Sequence, residues 1–288
     1  MIRRNAVDGR TINLDLTWTD LGRPASVTYP NDQGISDPVR TISNTYALGL
    51  LTAVPSYATS IGYHANLMVN AVLHANNVTV THVKDDNDIR RPKSITTTNA
   101  TPNWASGTYG YDGAGNVKTI GSDWYTYDKV SRLTVGTTSA AAQRQCAAYP
   151  AFGAINGFGT GTTSCAASAI SVDAGTNRMA NPVSYNAAGS MQVWGGFNYS
   201  WDPLNQMAAT WGTGITKRTF LYTADGERIE ERVGADPLNP TSITLAARGL
   251  DDKVLRLLTK SGGTWSWTKD YVYRDGLSLA SIETSGKG

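Results

Sequence analysis

The chain has 288 residues, of which 40% are apolar and only 17% charged, with a formal net charge of +2 spread along its length. That length allows one or two ordinary domains, and so thin a charge gives no basis for nucleic-acid binding. No stretch approaches 18 consecutive apolar residues, which excludes a helical membrane span, and the opening MIRRNAVDGRTINLDL has basic residues with no apolar run behind them, so it is not a secretory signal. Trp and Tyr total 22 against four Phe, so many rings carry a polar group suited to half-buried places. The 29 glycines and the many Thr, Ser and Asn are turn and strand chemistry rather than helix chemistry.

Along the chain one phrase recurs. Its first copy is centred on Trp18, and the same frame returns at Tyr111, Tyr127, Tyr149, Tyr185, Trp201 and Tyr222. Two positions before each aromatic stands an apolar or aromatic residue (Leu16, Tyr109, Tyr125, Ala147, Val183, Tyr199, Phe220), which is the period-two alternation of a strand. Four positions after it stand Gly22, Gly115, Ser131, Gly153, Gly189, Asn205 and Gly226, mostly residues that accept positive φ at low cost. Asp112, Asp128 and Asp202 occupy the first turn position, where a carboxylate accepts backbone N–H bonds. Each copy therefore reads strand, type I turn with a following left-handed residue, strand. Ser131 departs from the glycine pattern and is expected to be the most strained copy. Because a lone hairpin is marginal in water, the hairpins are expected to pair side by side in one continuous curved sheet running from near Leu14 to near Ile282.

Between these copies, MVNAVLHANNVTVTHV (68 to 83) alternates on both sides of Asn76-Asn77 and predicts a hairpin; with a two-residue turn, His74 faces Thr79. Cys146 and Cys165 bracket GFGTGTTS. They read either as a disulfide worth roughly 3 kcal/mol or as two small buried thiols, the plainer reading where no exporting signal is visible. LAARGLDDKVLRLL is the one helical candidate, and Gly249 and Asp251-Asp252 interrupt it. A last hairpin turns at Ser261-Gly262-Gly263 and puts Trp265, Trp267, Tyr271 and Tyr273 on alternate positions, a same-face aromatic ladder able to stack on a sugar, although such a ladder is more often core.

The copies YGYDGAGNV, YTYDKVSRL, YNAAGSM and YSWDPLNQM resemble consecutive repeats of the RHS/YD-repeat proteins. DLGRPASVTYPND near the start resembles another, and RGLDDKVLRLL with YVYRDGLSLASIE resembles the stretch leading into the family's core region; together the resemblance covers residues 10 to 285. It implies β-hairpins in a spiralling sheet that wraps into a hollow shell. In polymorphic toxins and toxin complexes such a shell encloses a C-terminal toxic segment, and in teneurin-like receptors it serves adhesion. The family's self-cleaving core, with its Asp-Pro-x-Gly motif, has no counterpart here. The chain is therefore expected to be an incomplete arc of a shell, part of a secreted or cell-surface protein, whose partners are a downstream core and toxin segment. Exposed strand ends and a bare apolar face are expected to make it self-associate.

No catalytic, metal or cofactor site is expected. His64, His74 and His82 lack a metal-binding spacing, as do the two cysteines, DDND (85 to 88) lacks the ligand pattern of a calcium loop, and GTGITK (212 to 217) lacks that of a phosphate loop. Repetition of the aspartates argues against catalysis, since an active site needs one special constellation. The main expectation is a non-enzymatic scaffold; the alternative is a module that binds carbohydrate or a cell-surface protein through Trp265, Trp267, Tyr271 and Tyr273.

Overall fold

Alternating side chains and closely spaced turn residues leave the chain no helical segment to form, and in the computed structural model every regular element among the described residues is a β-strand. The structure describes residues 2–283 apart from 8–9, 33–34, 36, 139–142, 152, 154, 174 and 181. The strands pair antiparallel, each with its neighbour in sequence, so the topology is a succession of hairpins. The helical candidate is one of them: Ser242–Arg248 turns back as Val254–Ser261. The hairpins group into several sheets, the largest being a ten-stranded sheet from Ser184 to Glu283 and a seven-stranded sheet from Tyr109 to Ala169. The first strand is Ile2–Val7, upstream of the expected start at Leu14, and the last is Leu277–Glu283.

By contacts the chain divides into two compact units, residues 60–181 and residues 1–59 with 182–288. The second joins the two ends of the chain. Ile12 packs with Ile243, Leu245, Ala247, Leu258 and Trp265, with Ile35 and Trp267 against them. At these hairpins Ile12 and Ile35 from the opposite end of the chain thus pack on the apolar face, while farther back Trp194, Phe197, Trp211 and Leu221 remain exposed.

In the unit 60–181 the strand Gly157–Gly161 carries glycine at alternate positions. Segment 164–167 lies against it so closely that a Cβ on Gly159 or Gly161 would collide with the carbonyl oxygens of Ala166 and Ser164. Cys165, in the middle of that segment, is joined by a disulfide to Cys146 on the neighbouring strand, with the Cα atoms 5.9 Å apart. The plainer reading of two free thiols is thus corrected: the GFGTG run is a backbone track, and the disulfide pins the returning chain onto it.

All seven fourth positions of the repeat have positive φ: +71° at Gly22, +88° at Gly115, +64° at Ser131, +87° at Gly153 and Gly189, +61° at Asn205 and +86° at Gly226. Space is not what selects glycine at position 115, because an added Cβ would meet only Arg91 Nη1 at 4.0 Å. The Gly115→Ala substitution should therefore cost about 1–2 kcal/mol from backbone conformation alone, read as a lowered urea midpoint at unchanged slope; an unchanged midpoint would contradict the turn assignment.

Candidate functional site

The repeat turns close in one way, except that the copy at Pro150, which has no N–H to give, makes only the return bond from Gly153 N to Pro150 O. The N–H of the first turn residue donates to the carbonyl four residues on, and the left-handed residue donates back: Asp112 N to Asn116 O and Gly115 N to Asp112 O, both 3.0 Å, with the same pair of bonds at Asp128, Asn186, Asp202 and Thr223. The Asp carboxylate completes the turn. Oδ1 of Asp112 accepts from Ala114 N at 3.0 Å and Asn116 N at 2.8 Å, Oδ1 of Asp128 from Val130 N and Arg132 N at 2.9 Å, and Oδ1 of Asp202 from Leu204 N at 2.9 Å and Gln206 N at 2.8 Å. Asn186 does the same with Ser190 N at 2.8 Å. The carboxyls of Asp112 and Asp128 are held below the ordinary Asp range, the first chiefly by the Asn116 side chain and the second chiefly by the Arg132 backbone N–H.

In five of the seven copies the aromatic ties its hairpin to a carbonyl earlier in the chain. At Trp18, Tyr111, Tyr127, Tyr185, Trp201 and Tyr222 the ladder slips by one residue, so that the aromatic faces the residue six positions ahead. Where that residue presents its carbonyl, the next aromatic donates to it: Tyr127 Oη to Val117 O at 2.8 Å, Tyr149 Oη to Leu133 O at 2.8 Å, Trp201 Nε1 to Met191 O at 2.7 Å and Tyr222 Oη to Met207 O at 2.9 Å. Tyr111 Oη reaches Pro92 O at 2.6 Å in the same manner. At two of these joints a cation just before the accepting carbonyl lies over the donating ring, Arg91 at 3.9 Å from the Tyr111 centroid and Arg132 at 4.7 Å from that of Tyr149. Burial pushes the Tyr111, Tyr127 and Tyr222 hydroxyls above the ordinary phenol range, which keeps them protonated donors.

Three further turns have this backbone pattern without its sequence mark. They close at His64–Met68, His74–Val78 and Gly249–Lys253, with Leu67, Asn77 and Asp252 in the left-handed position. The hairpin at Asn76-Asn77 is thus not a two-residue turn: Leu73, not His74, faces Thr79. The turn at Gly249 carries the full joint, since Tyr273 Oη donates to Val254 O at 2.9 Å.

The aromatic ladder is corrected. Leu258 faces Trp267 while Leu257 faces Lys269, so Thr268 is an extra residue that reverses the parity of the strand. Trp265 is buried in the core and Trp267 packs against it with its Nε1 on Asp270 Oδ1 at 3.0 Å. Asp270 and Val272 continue the buried side, and Tyr271 and Tyr273 alternate with them. The four rings share no open face for a sugar. His64 Nε2 lies 2.8 Å from His82 O. In DDND, Asp85, Asp86 and Asp88 pair with Arg91, Lys93 and Lys84. Among the described residues no group of three His, Cys, Asp or Glu could hold a metal ion, and no helix is long and apolar enough to cross a membrane.

What sequence reading missed altogether is a buried ionic clasp. Arg256, with no exposed surface, uses all five of its donors. Nε and Nη2 bind Asp270 at 2.7 and 2.8 Å, Nη1 binds Asp37 Oδ2 at 2.5 Å and Pro30 O at 3.1 Å, and Nη2 also binds Pro38 O at 2.8 Å. Arg40 Nε adds a bond to Asp270 Oδ2 at 2.6 Å and donates from Nη1 to Tyr57 Oη at 3.0 Å. Burial alone would raise the Asp270 carboxyl, but the donors Arg256, Arg40 and Trp267 outweigh it and hold the group below the ordinary range. Nothing in the local pattern marks these residues, because the bonds that tie Arg256 and Asp270 to Pro30, Asp37, Pro38 and Arg40 cross more than 200 positions.

No family model matches the sequence, and neither does any curated protein. Solved structures do match. The crystal structure of TcdB2-TccC3 aligns over 91% of this chain and 15% of its own, at 15% identity and a TM-score of 0.67. A Photorhabdus luminescens Tc holotoxin pore aligns over 95% of this chain and 18% of its own, at 12% identity and 0.62, and a TcdB2-TccC3-TEV crystal structure over 100% and 20%, at 14% and 0.60. The chain spans a fifth or less of each of these three solved chains, and at these identities the likeness is one of fold.

Two outcomes follow. Replacing Asp270 by Ala should destabilise by on the order of 3–5 kcal/mol by stranding Arg256 in the interior, whereas the double variant Arg256→Met/Asp270→Leu should recover much of that loss in urea unfolding. With the folded carboxyls of Asp112 and Asp128 depressed, their contribution is complete above the unfolded value of about 4 and is lost as pH falls through the lower folded values. The urea midpoint should therefore drop on acidification below that point, and less steeply in Asp128→Asn, which keeps the Oδ1 acceptor as Asn186 does.

Proposed function

We propose that this chain is a non-enzymatic structural segment of an RHS-type shell, part of a toxin-complex or polymorphic-toxin protein that acts outside the cell that makes it, and that its role is to enclose or present an adjoining polypeptide. The observation that carries this reading is the run of hairpins joined ring to carbonyl, on a fold shared over 91% of the chain with TcdB2-TccC3. Such a wall is built by repetition, and the polar groups of the repeat serve either to close each turn or to join one hairpin to another. The aspartates are bound to backbone N–H groups and the tyrosines to carbonyls, so the recurrent residues are free for neither acid–base chemistry nor a cofactor. A disulfide suits an extracellular destination. The alternative of sugar binding through Trp265, Trp267, Tyr271 and Tyr273 loses its platform, since Trp265 is in the core.

The test uses the whole gene product that carries this chain. The polypeptide adjoining this region should resist limited trypsin digestion while the clasp is intact and become cleavable in Asp270→Ala, with an exposed control peptide cut at the same rate in both. An adjoining polypeptide cut equally fast in the two proteins would remove the enclosing role.

A further inference from the structure

Within the unit formed by residues 1–59 and 182–288 lies a half-open cavity of about 450 Å³ that the enclosing role does not use. That volume is in the range of small-molecule sites. Its floor is Leu14, Ile42, Leu51 and Leu255, each buried, and Trp18 stands at its side with 44% of its surface exposed. Trp18 is the aromatic of the first repeat copy, and here the ring gives a face to the cavity.

The polar groups of the wall are already engaged. Tyr46 Oη and Asn44 Nδ2 both donate to Pro24 O, at 3.1 and 3.0 Å, and Tyr273 Oη donates to Val254 O. Water in the cavity would therefore find few partners, and an apolar body would displace it at little cost. On the rim, Asp251 is paired with Lys253 at 3.2 Å. Arg23 is placed differently: its guanidinium rests over the Tyr46 ring, 5.6 Å from the centroid, and among the described residues no carboxylate forms an ion pair with it. Asp275 lies on the same rim and, like Arg23, acts on the Tyr46 hydroxyl, so the rim carries a charge of each sign and only Arg23 can hold an anion.

We propose that this cavity binds a small apolar acid: a ring-bearing or branched hydrocarbon body seated on Leu14, Ile42, Leu51 and Leu255 beside Trp18, with one carboxylate or sulfonate held by Arg23. The Arg23 guanidinium can give two parallel N–H bonds to such a group, which a lysine could not. The site is independent of whether the hairpins enclose another polypeptide.

Anilinonaphthalene sulfonate, which combines an aromatic body with one acidic group, is the probe. Titrated into the full chain it should show one saturable, blue-shifted fluorescent site. Arg23→Gln should weaken that site about tenfold through loss of a charged hydrogen bond. Val27→Trp should abolish it by filling the cavity, and Leu250→Trp, placed on the exposed rim, is the second blocking variant should Val27→Trp fail to fold. Far-UV circular dichroism and the melting temperature should be retained in Arg23→Gln. Absence of a saturable site in the native chain would overturn the proposal, as would an affinity left unchanged by both Arg23→Gln and a folded blocking variant.

Discussion

The fold depends on one hydrogen bond made again and again, from the ring of one hairpin to the carbonyl at the exit of the turn before it. The one-residue slip before each aromatic places that ring opposite the exit residue and turns the strand locally, as bulges do. An unpaired buried carbonyl costs more than a made bond gains, so the ring at that position must carry a donor. This accounts for a composition with 22 Trp and Tyr and only four Phe. It also accounts for Trp201, which replaces tyrosine without breaking the series because its indole N–H reaches the same kind of carbonyl.

Ring-to-carbonyl joints are short-range, and a chain held by them alone would be an open ladder. Closure of the ends is a separate matter. The Arg256 clasp fastens the segment Pro30–Arg40 to the last long hairpin, across sequence separations of 218 to 230 residues. A neutral set of two arginines and two aspartates with every Arg256 donor satisfied avoids the cost of a lone buried charge, but gains little over apolar packing. Its directional geometry is better suited to fixing register: five bonds at fixed angles admit one placement of the terminal segment, where Ile12 against Leu245 and Leu258 would admit several.

The same division explains what could be read from the sequence. Turn chemistry is local, so seven copies were legible from an aromatic and a residue that accepts positive φ. The turn at Asn77 was legible as a hairpin but misread by one residue in its length, while those at Leu67 and Asp252 escaped because pairing of the flanking strands sets the same backbone without the repeat's glycine. The parity of Trp265 to Tyr273 was misjudged for a related reason: alternation counted along a strand fails across a bulge, and Thr268 has no sequence mark as an extra residue. The disulfide depended on segment 164–167 folding back over alternate glycines, a contact that only the close approach at Gly159 and Gly161 reveals. The clasp and the terminal core, whose partners come from opposite ends of the chain, lay beyond local pattern altogether.

A repeat that spends its polar groups on its own joints confines specificity to the places where the joint is incomplete or modified. In the middle of the series an arginine before the exit carbonyl covers the next tyrosine, as Arg132 covers Tyr149. At the first copy the same arrangement, Arg23 over Tyr46, borders a half-open cavity, and the copy's own aromatic, Trp18, remains partly exposed. The same arrangement of arginine over tyrosine thus stands at a joint between hairpins in one place and beside a cavity in another. Where such a chain departs from pure scaffolding, the departure is to be sought at the ends of the ladder, where a repeat residue has lost a neighbour, rather than among the tyrosines and aspartates that make the repeat conspicuous.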